Sequence, residues 1–548
     1  MAMRDVDLVE TSDASSEEPT PPHVPSFLAR VRRHPRWLAA GAVVLVGLVG
    51  YQVVSDGRLR AQDDARAAAL ADVPLVLDPV DPQLPVLHHG TYTWDGDGPE
   101  LAVLAQLGYG AEAAGVSVVS SQGVAGAPDV RLAGFDSSSG EPVWETPVPA
   151  PRGGLTGGGG WCSSGDQSAS ADATAVRCVV RWQAPAPVQP QDDSGVYPEA
   201  VSIVQVDATD GSVLHRDDLP PGALYGTGPW GTVVGAIDAA TGTARLTLEA
   251  SAWDGTARWT RVLDLPTAVD PSFVWINGDE EHVLVVDGDG GGGWVLSADD
   301  GTTVLEIPGS EGGGSSPTLL ASGAVLVPDP AFPGSDPTSG EVAQMLLRPD
   351  RPAVSFDGDR VVWVGIDDGT VGDAILTAAR AQGRDRGDLL GKGALRLRSP
   401  DGSVRWEIPG LDIGTALAVD GLVVGRTADH VVAVDARTGA VRWRSPVQPV
   451  EDGFARGLLT DGRVILVPSG AQLDAFTFRG ERVWSVHVEA DGDGHAVRTG
   501  PVPTASTGST VVPGGNRVSW STSLAGRLTL AIDDSSTAGQ EFFVFGRP

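Results

Sequence analysis

Cys162 and Cys178 are the only cysteines in the 548-residue chain. An even, low count fits one disulfide in an oxidising compartment, and it is too few ligands for a metal site. The flanking segments GWCSSG and AVRCVVRW read as strand ends around a polar loop, so the pair is expected to bridge neighbouring strands. Three Asp-Gly-Asp-Gly stretches, at Asp95/Asp97, Asp287/Asp289 and Asp491/Asp493, offer the oxygens a hard cation wants. None is followed by the closing Glu of a twelve-residue calcium loop, and Asp-Gly is also the common dipeptide of tight hairpins. They are therefore read as turns. His88 and His89 are adjacent, so in a strand they face opposite ways and make a poor metal pair. HExxH, GxSxG and a phosphate-binding loop are absent, and Gly391–Gly393 (GKG) lacks the residues that would complete one. No residue is assigned a catalytic, cofactor-binding or metal role from spacing alone.

The elements that must position these groups are short strands. Val is frequent, Gly numbers 72 and Pro 41, and 41% of residues are hydrophobic. That combination points to many turns within an all-β fold rather than to disorder. The net charge is −33. Five Arg and six acidic residues in the first 54 positions make −1, leaving −32 beyond. Such a surface repels nucleic acid and anionic lipid, so neither is expected as a partner.

Residues 1–36 read as a polar tail ending in Arg30, Arg32, Arg33 and Arg36. Residues 37–54 carry no charge, and as a helix they would extend about 27 Å, near the thickness of a bilayer core. A transmembrane helix is expected there, with the Arg side cytoplasmic and the rest of the chain extracytoplasmic. Residues 55–84 read as a juxtamembrane helix followed by a stiff linker bearing Pro74, Pro79, Pro82 and Pro85.

Beyond that a phrase recurs: an apolar strand, a polar turn ending in Gly, and an aromatic residue four positions later. Ala433–Trp443 (AVDARTGAVRW) is the clearest copy. The pairs are Gly140/Trp144, Gly255/Trp259, Gly402/Trp406, Gly439/Trp443 and Gly480/Trp484. Weaker copies put His215, Leu305 and Phe543 four after Gly211, Gly301 and Gly539. Asp and Thr fit the turn through side-chain bonds to the backbone, and Gly supplies a positive φ. Each Trp leaves the second strand of its hairpin and is expected to pack between neighbouring sheets. Most spacings between the turn glycines run from 37 to 46 residues, the length of a four-stranded blade. The gap of 101 before Gly402 is long enough to hide a degenerate blade.

The phrase resembles the tryptophan-docking motif of the PQQ-like β-propeller family, matched at Ala433, Asp435, Thr438, Gly439 and Trp443. The family includes quinoprotein dehydrogenases and outer-membrane assembly propeller lipoproteins. The resemblance covers about residues 85–548 and implies a propeller of eight blades, or seven, whose ring closure draws strands from both ends. Dehydrogenases of the family that use PQQ carry two adjacent cysteines at the cofactor. This chain has no such pair, so PQQ is not expected as a cofactor, and with the Asp-Gly-Asp-Gly stretches read as turns calcium is not expected either. The resulting expectation is a binding or scaffold module for a protein or envelope component. The alternative is a propeller enzyme, either a degenerate quinoprotein or a hydrolase.

Overall fold

The computed structural model describes residues 35–546 apart from connecting segments, the longest being 94–109, 165–173, 184–199, 332–342, 380–392 and 502–516. Residues 1–64 and 65–548 form two compact units. A helix, Pro35–Leu70, runs unbroken through the expected membrane span and the expected stalk. Among the described residues no helix is long and apolar enough to cross a membrane. The side chains of 37–42 lie outside the described residues. The expected transmembrane helix is not supported among the described residues.

The second unit is all-β. Among the described residues nine sheets, each with four strands and two of them with a fifth added, follow one another along the chain, antiparallel except for one added strand. Blades 1 to 5 span 111–149, 156–219, 224–264, 274–307 and 318–355. Blade 6 spans 360–409, blade 7 is built on 415–446, and blade 8 spans 459–501. Blade 9 takes three strands from 517–545 and its outermost from Val86–Thr93, so the two ends of the propeller share one sheet. Within each blade the strands are lettered A to D from the inside outward. Buried clusters join consecutive blades. Val130 and Leu132 of blade 1 pack with Val176 and Trp182 of blade 2. Val432 and Val434 of blade 7 pack with Leu395 and Trp406 of blade 6.

Nine blades replace the eight or seven expected from the repeat. Eight carry a turn with the motif glycine, and the ninth lies in the long gap before Gly402. Blade 5 folds its last hairpin directly between Arg348 and Arg351, with no glycine and no aromatic residue to mark it. Its Val354 takes the place of a docking Trp, its Cγ1 lying 2.5 Å from where a Cβ on Gly402 would sit. Blades 6 and 7 are also spliced. Arg360–Val361 pairs with blade 6, and the same segment continues as Trp363–Asp367, which pairs in parallel with Thr415–Val419 inside blade 7.

The end of the helix and the linker lie along blades 7 to 9. Leu70 is buried with Phe476 and Phe478, and Arg66 pairs with Asp420 and covers the Phe478 ring. The Leu77 amide donates to Thr460 O, Asp78 to Gly526 O, and Val80 to Asp461 Oδ2. These acceptors sit at the A–B turns of blades 8 and 9, so the linker is bound by backbone hydrogen bonds before it enters the sheet of blade 9.

Candidate functional site

The motif glycines and tryptophans occupy the junctions between blades. Trp144, Trp259, Trp406 and Trp443 each stand on strand D of their own blade and reach the turn of the next. Trp144 Nε1 donates to Ala208 O at 2.6 Å, and Trp259 Nε1 to Ala298 O at 2.9 Å. Trp406 Nε1 donates to Ala436 O at 2.8 Å, and Trp443 Nε1 to Phe478 O at 2.9 Å. Trp484 packs against the cluster holding Leu530 and Phe543 of blade 9.

The receiving glycine is needed twice over. Gly439 has φ +72°, and a Cβ there would lie 2.8 Å from the Trp406 ring. Gly480 has φ +84°, and a Cβ would lie 2.6 Å from Trp443. Gly211 and Gly301 stand in the same relation to Trp144 and Trp259. Gly140 (φ +73°), Gly255 (φ +80°) and Gly402 (φ +86°) close equivalent turns of blades 1, 3 and 6. Facing Gly255 is His215 of blade 2, at an ordinary contact distance of 3.5 Å.

The turn aspartates are acceptors for their own turns. Asp435 takes hydrogen bonds from Arg442 Nη2, from Thr438 Oγ1 and from the Thr438 amide, which together hold its carboxyl well below the usual carboxylate range. A folded-state pKa below the unfolded value of about 3.9 stabilises the fold above that value and is lost as pH falls below it. Asp435→Asn is therefore expected to lower the melting temperature at pH 7. The gap between variant and parent should close as a series of melts is carried to acid pH.

Three groups of buried charge involve arginines. In blade 6, Asp359 accepts from Arg396 Nη1 at 2.8 Å, Arg398 Nη2 at 2.9 Å and Thr377 Oγ1 at 3.0 Å. A carboxylate that is 2% exposed and so fully engaged has no open face for a substrate. Between blades 2 and 3, Arg177 lies over Trp253 at 3.8 Å and donates to Trp253 O and Thr232 Oγ1. Between blades 7 and 8, Arg426 donates to Pro468 O and Gln448 O. Burial lowers both guanidinium groups to about 10, leaving them charged at neutral pH. These groups tie blades together and face no solvent.

The cysteines pair as neighbours. Cys162 on strand A and Cys178 on strand B of blade 2 are bonded, with Cα atoms 4.0 Å apart. Both cysteines are thus used in one cross-strand link of blade 2. The Asp-Gly-Asp-Gly stretches lie outside the described residues, except Asp287, which is buried at a strand end. Among the described residues no three His, Cys, Asp or Glu side chains group to hold a metal. His88 and His89 fall on strand Val86–Thr93, but their side chains lie outside the described residues.

The exposed aromatic residues are elsewhere, and sequence spacing did not point to them. Among the described residues of the propeller, the large exposed aromatics are Trp161 (37%) and Trp363 (64%). Trp161 is on the innermost strand of blade 2, Thr156–Ser164, and Trp363 on the innermost strand of blade 7. Innermost strands surround the central channel of a propeller. The Trp161 ring stacks on Tyr225, from the innermost strand of blade 3, with centroids 6.1 Å apart. Arg181, on strand B of blade 2, lies 4.6 Å over the indole and donates from Nε to the Tyr225 hydroxyl at 3.2 Å. Residues 161, 181 and 225 come together only when two blades are folded and paired, so no local pattern announces them.

Fold and site together define a propeller whose junctions are built on Trp–Gly docking and whose exposed tryptophans stand on innermost strands. Its repeats resemble the PQQ-like type, and a family match covers one part of the chain. Residues 391–537 match the family described as outer membrane protein assembly factor BamB. BamB from Moraxella catarrhalis is similar in structure, with 16% identity, 63% of this chain and 94% of that one covered, and a TM-score of 0.29. Apo AztD from Citrobacter koseri gives 12% identity, 63% and 93% coverage and a TM-score of 0.29. A quinohemoprotein alcohol dehydrogenase from Pseudomonas putida HK5 gives 13%, 73% of each chain and 0.28. No curated protein matches the chain.

Proposed function

We propose that the protein is a binding or scaffold module that works outside the cytoplasm and holds its ligand or protein partner at the inner strands of the propeller. The observation that carries this reading is the placement of the exposed tryptophans on innermost strands. Trp443 and its equivalents satisfy their indole N–H on a neighbouring blade and are spent on packing. Trp161 and Trp363 are on innermost strands with ring surface open to solvent. Trp, Tyr and Arg are the residue types that most often dominate binding interfaces, and the first cluster contains one of each. The match over 391–537 to a family named for outer-membrane protein assembly is in keeping with a protein partner in the envelope.

An extracytoplasmic site is supported by the Cys162–Cys178 bond, since disulfides persist in oxidising compartments. Closing a loop of this length is worth about 3 kcal/mol in the loop-entropy model. Thiol labelling of protein denatured without reductant is expected to find no free cysteine. Two labelled thiols per chain, in protein taken directly from its cells, would contradict the location.

The binding reading is tested by replacing Trp161 and Trp363 singly with Ala and titrating soluble aromatic probes by calorimetry. Loss of binding with an unchanged melting temperature is the expected result. Unchanged binding in both variants would overturn it.

A further inference from the structure

We infer that Trp161, Arg181 and Tyr225 form a recognition site for a ligand carrying one carboxylate beside a flat apolar group. The inference rests on the binding reading above and gives it a chemistry.

The geometry first removes other ligands. A cationic group would seek the π face of Trp161, but the Arg181 guanidinium already lies over that ring at 4.6 Å. Like charge therefore excludes an ammonium ligand from the place it would favour. A polyanion is opposed by the field of a chain with net charge −33. One anionic group at short range is a different case, because a charge-assisted hydrogen bond to one guanidinium outweighs a field that solvent ions screen beyond about 8 Å.

Arg181 is prepared for that role. Its Nε is engaged by the Tyr225 hydroxyl at 3.2 Å and its plane lies over the indole, so the guanidinium is held by two groups from two blades. Among the described residues no carboxylate pairs with it, although Asp and Glu number 71 in the chain against 38 basic residues. Most other arginines on these blades are committed: Arg177 is buried between blades 2 and 3, and Arg216 pairs with Asp218 at 2.8 Å. The two Nη groups of Arg181 remain as a fork of donors, the geometry that receives a carboxylate.

The floor beside the fork is flat and rigid. Trp161 and Tyr225 stack at an interplanar angle of 27°. The strand carrying Trp161 is covalently fixed to the strand carrying Arg181, because the next residue, Cys162, is bonded to Cys178. A ligand entering the channel can place a flat group against the open part of the indole while its carboxylate meets the Arg181 fork. Both halves of the site are preformed, so binding orders little of the protein.

The experiment titrates the full chain with 1-naphthoate and, as the uncharged counterpart, 1-naphthalenemethanol. Naphthoate is expected to bind more tightly. Arg181→Gln should weaken it by about tenfold, the lower end for a charge-assisted bond because the site is open to solvent, while leaving the alcohol unchanged. Tyr225→Phe, which removes only the hydroxyl that braces Arg181, should weaken naphthoate by a few-fold and leave the alcohol alone. Trp161→Ala should remove both. Arg181 and Trp161 are exposed, so these variants should melt with the parent. Equal affinity for acid and alcohol, with both lost in Trp161→Ala, would overturn the anion assignment while the binding reading stands. No binding of either compound, or binding indifferent to all three substitutions, would overturn both.

Discussion

Asp359→Ala is expected to destabilise the propeller by about 3–5 kcal/mol, because it takes from the buried Arg398 its buried counter-charge and leaves it only the exposed Asp357. The side chains of Arg398 and Asp359 are 4% and 3% exposed, and the pair is closed by Arg396 and Thr377. Removing the carboxylate strips Arg398 of its 2.9 Å partner and Arg396 of its 2.8 Å partner. The Phe356 carbonyl and the far side of Arg396, paired with Glu407, cannot make up the difference. Asp359→Asn keeps the volume and loses the charge. It should fall between parent and Ala in a denaturant titration, and an Asn variant as stable as the parent would show that shape, not charge, holds blade 6.

Trp443→Ala is expected to cost a similar amount, about 3–5 kcal/mol, for a different reason. The ring lies against Gly480, and its N–H is bonded to Phe478 O at 2.9 Å. Deleting it opens a cavity at the junction of blades 7 and 8 and orphans a backbone carbonyl. For a unit of this length the loss amounts to a fall of roughly 3–5 °C in melting temperature. Gly480→Ala attacks the same contact from the other side. It combines a strained φ of +84° with a Cβ 2.6 Å from the indole, so it should destabilise as well. If either variant melted with the parent, Trp–Gly docking would not be what locks the blades.

The repeat was legible in sequence because all its parts are local. A turn aspartate, its Thr, the glycine and the Trp fall within one hairpin, so one phrase such as Ala433–Trp443 carries the whole signal. What the phrase could not reveal was its partner: Trp144, Trp259, Trp406 and Trp443 serve the turn of the following blade, some 30 to 64 residues away. Blade 5 was hidden because Val354 fills the docking place and the turn between Arg348 and Arg351 has no glycine. That single missing phrase accounts for a count of eight where nine sheets form. The splice at Arg360–Asp367 had no marker either, since one continuous segment serves two sheets.

The candidate site was less legible than the fold. Cys162 and Cys178 were paired correctly as a cross-strand bridge because strand patterns flank both. Trp161 and Trp363 carry no motif, and their exposure follows from lying on innermost strands, which is a property of the closed ring. Arg181 reads in sequence as one more surface arginine. Its value comes from the Tyr225 hydroxyl and the Trp161 ring, supplied by two neighbouring strands in two blades.

The central claim is that two classes of tryptophan do two different jobs. The measurement that tests it most directly is a paired one: melting temperature and 1-naphthoate affinity, on Trp161→Ala and Trp443→Ala side by side. The account predicts that Trp161→Ala melts with the parent and fails to bind. It predicts that Trp443→Ala melts several degrees lower, yet binds with parental affinity while folded. A Trp443→Ala protein that keeps its melting temperature and loses binding, or a Trp161→Ala protein that binds as the parent does, would contradict it.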